Sequence, residues 1–278
     1  MSARDGVAEA VGLFGPESVS WRIDRELVVL AGGSCALLLQ AAHPVVAAGV
    51  AQHSTYATDP FGRLLRTLTS SFDVVFGTRS VAEATIRRVN AIHERVRGMR
   101  PDDGTPYTAM DPEALLWVHA TLVDTALRIY GRFVHPLTSA EEQAYHLESA
   151  QVATLLGVPP DMLPPRIEDL RAWMDRLIAD GTVHVTPAAR RIARTVLYPV
   201  RFPPRLAWDA AHLVSMSTLR APIRRQYGVP WSPARERGME RIASVSRAVL
   251  PLLPSPFRHA PQARAAERRV RRALTAVR

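Results

Sequence analysis

Three features of the sequence predict an all-α protein: apolar residues recur at helical spacing, alternation of Val, Ile and Thr never persists, and prolines punctuate the periodic stretches. The chain has 278 residues, 47% hydrophobic and 22% charged, which is ordinary for a folded protein and long enough to bury a sizeable core. The expected organisation is a helical domain over residues 1–250 followed by an Arg-rich tail over 251–278.

The net charge of +9 suggests nucleic acid at first sight, but every one of the 35 basic residues is Arg and Lys is absent. That exclusivity fits the coding bias of a GC-rich genome better than selection for phosphate contacts, which Lys serves well, so no nucleic-acid partner is expected. Cys35 stands alone, which excludes an internal disulfide, a thiolate zinc cluster and a Cys-ligated iron–sulfur centre. With no secretory pattern in MSARDGVAEAVGLFGPES, a cytoplasmic location is expected. Leu27 to Ala51 is nearly continuously apolar, yet Gln40, His43 and Pro44 interrupt it; two buried helices joined near His43 are expected rather than a transmembrane segment.

In chain order, the patterns predict a helix over Asp24–Gln40, with Gly32–Gly33 as a point of close packing, and a second over Pro44–His53. DPFGRLLRTLTSSFDVVFGT reads as a helix with Asp59 as N-cap, Pro60 at its first position and Gly77 at its end. Ser80 and Glu83 predict a capping box opening SVAEATIRRVNAIHERVRG, with Gly98 as its stop, and MRPDDGTPYTAMD reads as a loop. Pro112 opens a strongly apolar helix that carries His119. Five further helical stretches follow, from SAEEQAYHLESAQVATLLG to SPARERGMERIASVSRAVLPLL, separated by Pro or Gly turns.

Nine histidines are present, without an HExxH or paired Glu-x-x-His pattern, and no GxSxG, GxGxxG or P-loop pattern occurs. Zinc hydrolases, di-iron carboxylate proteins, dinucleotide enzymes and P-loop NTPases therefore lack support. A lone His on an apolar helix is by default a hydrogen-bonded core residue. The exception is the density of polar groups across His43-Pro44, His53, Asp59-Pro60, Arg63, Thr67 and the segment His93-Glu94-Arg95-Val96-Arg97-Gly98, all beside apolar helix faces. Burying them takes mutual hydrogen bonds or a polar-edged ligand such as a porphyrin, whose iron takes a neutral imidazole and whose propionates favour Arg.

AAHPVVAAGVAQHSTYATDPFGRLLRTLTSSFDVVFGT, then IHERVRG, then LLWVHATLVDT, resembles the family that joins the latex-clearing rubber oxygenases to the endoplasmic-reticulum-bound oxygenase MpaB, from about Phe14 to Tyr227. The resemblance implies a helical fold with a globin-like core around one non-covalent haem b. It makes His93 the counterpart of the proximal iron ligand, and matches Arg63 and Thr67 to a polar pair at the haem. Spaced i,i+4, these two share one helix face. The rubber oxygenases carry a Lys just before the Thr, where this chain has Arg66, which cannot deprotonate to ligate iron. His43 reads either as an inter-helix hydrogen-bonding group or as a distal contact, and His119 as an alternative axial ligand ranked behind His93.

The expected function is a haem b-dependent oxygenase acting on a small apolar intracellular substrate with O₂ or peroxide and an electron donor. The alternative is a non-enzymatic haem-binding or helical interaction protein.

Overall fold

The computed structural model describes residues 3–198 and 205–276. In chain order the helices are α1 (Ala3–Val11), α2 (Val19–Asp24), a 3₁₀ turn (Leu27–Gly32), α3 (Gly33–Ala42), α4 (Pro44–His53), α5 (Pro60–Phe76) and α6 (Arg79–His93). An antiparallel pair, β1 (Arg97–Met99) and β2 (Pro106–Thr108), precedes α7 (Pro112–Phe133), α8 (Ser139–Leu155), α9 (Ile167–Ala179), α10 (Pro187–Leu197), α11 (Arg205–Thr218) and α12 (Ala221–Gln226). The chain ends in α13 (Pro233–Val249), the short α14 (Ser255–Arg258) and α15 (Pro261–Thr275). The Pro-marked turn between α10 and α11, residues 199–204, lies outside the described residues. The fold is all-α, as the periodicity predicts.

Helix starts are where local chemistry dictates them. Asp59 accepts from the Gly62 N–H with Pro60 in the first turn, and Asp111 accepts from Ala114 N–H ahead of α7. His43 and Pro44 mark the expected junction, where the chain bends by 103° between Leu27–Ala42 and Pro44–His53. Among the described residues no single helix is long and apolar enough to cross a membrane. The apolar run is core instead: Leu38, Leu39, Ala42, Trp117 and Leu127 belong to one buried cluster centred on α3 and α7.

Several boundaries differ from the sequence patterns, each for a long-range reason. The helix expected from Asp24 breaks at Glu26, a buried carboxylate that accepts from Arg258 at 2.8 Å near the far end of the chain. Gly32 is the close-packing point, since a Cβ there would lie 2.7 Å from Thr125 Cγ2 and 2.8 Å from Ile129 Cγ1; beside Gly33 there is open space. Thr78 caps α6 in place of Ser80, whose hydroxyl donates to Glu9 at 2.5 Å, while Glu83 pairs with Arg79. The helix stops at His93, ahead of Gly98. Gly98 pairs with Tyr107 in the β-ribbon, where a Cβ would meet Gln52 Oε1 of α4 at 2.7 Å, so the glycine permits strand-to-helix approach and is no helix stop. The expected loop after it is therefore a ribbon laid on α4.

Helix α7 is the central post. Asp124, 1% exposed, accepts from Arg128 (2.9 Å), from Arg171 of α9 (3.0 Å) and from Arg220 (3.0 Å), which joins α11 to α12. Burial works to raise its pKa, but the Arg128, Arg220 and Arg171 guanidiniums outweigh it and hold the carboxyl below its usual value. Arg220 also pairs with Asp175, and Arg171 grips Glu142 of α8. Neutralising Asp124 removes the buried charge that Arg128, Arg171 and Arg220 share, leaving Glu142 to Arg171 and Asp175 to Arg220. Asp124→Asn is therefore expected to cost about 3–5 kcal/mol of unfolding free energy in urea titrations; a loss below about 1 kcal/mol, the scale of an exposed pair, would contradict this role.

Candidate functional site

Helices α5 and α6 form an antiparallel hairpin that turns at Gly77 and Thr78, with Arg88 Nη2 donating to Ser70 Oγ (3.4 Å) across its middle. Its closed tip is anchored firmly. Phe76 packs edge-on against Trp21 with centroids 5.1 Å apart, within a buried cluster that includes Phe14, Ala263 and Ala266. Arg269 of α15 donates to the carbonyls of Phe76 (2.7 Å), Gly77 (3.1 Å) and Ala10 (3.0 Å), closing the C-terminal ends of α5 and α1. The Arg-rich C-terminal stretch thus contains a helix that holds the hairpin.

The open end is built differently. Arg63 lies in the first turn of α5 and His93 is the last residue of α6, so the hairpin brings both to one end, with Thr67 a turn further along α5. There the hairpin meets the body through Asn90 Nδ2, which donates to the Leu155 carbonyl at the end of α8 (2.9 Å). Phe76, Phe72 and Val75 cover the apolar stripe of α5 near the tip, but Phe61 and Leu64 are 45% and 40% exposed at the open end, beside exposed Ile92 and Leu155. This is an open apolar surface; clefts of 270 and 150 Å³ lie elsewhere, beside α2 and at the start of α4.

His93 is half-buried, and its Nδ1 is buried without a hydrogen-bond partner. Burial lowers its pKa, favouring the neutral imidazole. Arg63 is also half-buried, and its guanidinium has no hydrogen bond or ion pair among the described residues; burial, then the neighbouring Arg66 cation, lowers its pKa. Arg66 is committed to Asp59 (3.0 Å) and Thr55 Oγ1 (3.0 Å). Thr67 is exposed and donates its hydroxyl to the Arg63 carbonyl (2.9 Å), so only its lone pairs remain available.

His43 and His119 belong to the flanks of α7. His43 is buried with both ring nitrogens lacking a hydrogen-bond partner, its ring 6.3 Å from that of Trp117, and its Nε2 is 4.0 Å from Glu113 Oε1. Burial pulls it down to about 4 against the opposing Asp111 carboxylate. His119 is buried with an unpartnered Nε2, also pulled down to about 4 by burial and then by nearby His146. Lying two residues apart, Trp117 and His119 project from nearly opposite sides of α7, so His43 and His119 do not share one face. Asn90 and His146 escaped sequence reasoning. The only local signal for Asn90 is a polar side chain one turn before His93. Among the described residues no three His, Cys, Asp or Glu side chains gather as an ion-binding cluster.

The profile of the family described as ER-bound oxygenase mpaB/B'/Rubber oxygenase, catalytic domain, matches residues 21–248. The chain belongs to this family. It therefore carries an oxygenase-type catalytic domain, and the match takes in α5, α6 and α7 whole. Uncharacterized proteins of Mycobacterium bovis and Mycobacterium tuberculosis are each 29% identical to it over 231 residues, covering 78% of this chain and 87% of theirs. No solved structure matches it significantly. Within the oxygenase family's domain, α13 reaches to the edge of the match and α15 lies beyond it.

The buried imidazoles make stability depend on pH. A His that titrates near 4 when folded and near 6.5 when unfolded takes up its proton preferentially in the unfolded chain, so stability present above about 6.5 is lost as pH falls toward 4. Asp24, raised to about 7 by burial, works in the opposite sense over the range from 7 down to 3.8. Comparison with a His43→Gln/His119→Gln variant isolates the imidazoles. Between about pH 7 and about pH 4.5, wild type is expected to lose about 2 kcal/mol more per imidazole than the variant in urea titrations. Parallel pH profiles would contradict the assignment.

Proposed function

We propose that this oxygenase-family chain is a haem b-dependent oxygenase that acts on a small apolar substrate with O₂ or peroxide. The observation that carries the reading is the open end of the α5–α6 hairpin, where a neutral imidazole without a partner, a guanidinium without a counter-charge and an uncovered apolar stripe coincide. Each is costly alone. A buried polar atom without a partner costs about 1–3 kcal/mol, and a half-buried cation beside Arg66 is worse placed without an anion than with one.

Haem b matches all three requirements: an iron that takes neutral imidazole, a flat apolar face, and oxidant chemistry that develops negative charge for a free cation to stabilise. Bound there, it would supply the redox centre that activates the oxidant. His93 would hold the iron, and no cluster of protein ligands is needed for a metal that arrives inside a macrocycle. Arg63, free of acidic partners, is available to stabilise negative charge developing on the oxidant. Thr67, with its proton directed to the Arg63 carbonyl, offers acceptor lone pairs to a donor such as water. Arg66 is committed to Asp59, and its guanidinium offers no lone pair to a metal. Phe61, Leu64 and Ile92 supply an apolar surface for a substrate of the same character.

The test separates cofactor retention from turnover. Wild type is expected to show a Soret band, His93→Ala to lose it, and Arg63→Ala to keep it while turnover falls by about a hundredfold or more, the usual weight of one charge-stabilising donor. Undiminished haem in His93→Ala would retire the ligand assignment and direct attention to His119.

A further inference from the structure

The far end of the chain carries an apolar surface unrelated to the hairpin. Helix α13 buries Met239 and Ala243 against Ile129 and Phe133 of α7. On its outer face Ile242, Val245 and Val249 are 49%, 63% and 44% exposed, spaced to lie along one stripe. The stripe runs on into residues 251–257, every one exposed, with Leu252 at 81% and Phe257 at 73%. Such a continuous outward display of large apolar side chains marks an interaction surface.

This protrusion is well pinned. At its base Arg258 Nε donates to both oxygens of buried Glu26 (3.0 and 2.8 Å), and Ala260 N–H donates to the Arg25 carbonyl (2.8 Å). Its backbone demands little of its surroundings. Leu253 N–H is satisfied by Leu250, Phe257 N–H by Pro254 and His259 N–H by Ser255, while Pro251, Pro254 and Pro256 have no N–H at all. With few free backbone donors, the loop is suited to the headgroup boundary, where its side chains can reach acyl chains while its carbonyls stay hydrated.

Charge selects the occupant. No Asp or Glu occurs between Glu240 and Glu267, while Arg241, Arg247, Arg258 and Arg264 fall in that interval. The acids of α13, Glu236 and Glu240, both pair with Arg132. Arg237 and Arg241, one turn apart and exposed, have no ion pair among the described residues. A second copy docking face to face would set these cations against their own copies with no acid to receive them. An anionic lipid surface satisfies both features, taking Leu252 and Phe257 among its acyl chains and the guanidiniums at its headgroups.

We propose that the stripe from Ile242 to Phe257 is a wedge by which the protein binds peripherally to bilayers rich in anionic lipid. Flotation of the full chain with phosphatidylcholine vesicles containing about one-third phosphatidylglycerol tests it. Wild type is expected to float, less so in high salt, and pure phosphatidylcholine to capture it weakly. Leu252→Glu/Phe257→Glu alters only exposed side chains, and is expected to lower bound protein about tenfold or more with helicity and thermal midpoint unchanged. Arg237→Glu/Arg241→Glu, a second and independent variant, is expected to abolish the preference for anionic vesicles. Wild type that fails to float, or variants that float equally well, would overturn the proposal. So would a wild-type dimer in light scattering that Leu252→Glu/Phe257→Glu dissociates, since the wedge would then be a contact between copies.

Discussion

Much of the molecule is organised around one buried carboxylate. Asp124 sits in the middle of α7 and receives Arg128 from its own helix, Arg171 from α9 and Arg220 from the α11–α12 join. Three cations on one anion would repel one another, but Glu142 and Asp175 take up the remaining guanidinium faces of Arg171 and Arg220. The result is a charge-balanced network that fixes α8, α9 and α12 around one post. Gly32 adds the apolar counterpart, letting the 3₁₀ turn before α3 approach Thr125 and Ile129 on α7 more closely than any side chain would allow.

Against that fixed post the α5–α6 hairpin is held unevenly, and the candidate site follows from the imbalance. Its tip is closed by aromatic packing and by Arg269 on three carbonyls, whereas its open end meets α8 through the Asn90 hydrogen bond. The apolar stripe of α5 is therefore covered where nothing else is needed and uncovered beside His93 and Arg63. A helical protein that leaves an apolar stripe, a neutral imidazole and an unpaired cation together at one edge has a surface suited to a flat, anionic-edged cofactor.

What the sequence made legible is what local chemistry decides. Asp59-Pro60, His43-Pro44 and Asp111-Pro112 announce helix starts because a cap and a fixed φ act within one turn. What it concealed depends on partners far along the chain. Ser80 loses its capping role because Glu9 of α1 takes its hydroxyl, the helix through Glu26 breaks because Arg258 reaches back from α14, and Gly98 serves the contact of a ribbon with α4. The site divides the same way. Arg63 and Thr67 share a helix face by spacing alone. That they share one end of the hairpin with His93 depends on how α5 and α6 fold together, and the contrast between a partnered Arg66 and an unpartnered Arg63 guanidinium belongs only to the folded chain.

The purified wild-type protein is expected to carry an iron porphyrin. An absorption spectrum recorded before and after dithionite should show a Soret band that shifts on reduction, as expected of haem on a single imidazole. A colourless, fully folded protein from haem-replete cells that also fails to take up added haem would contradict it, and would leave the hairpin's open end as a surface for some other ligand.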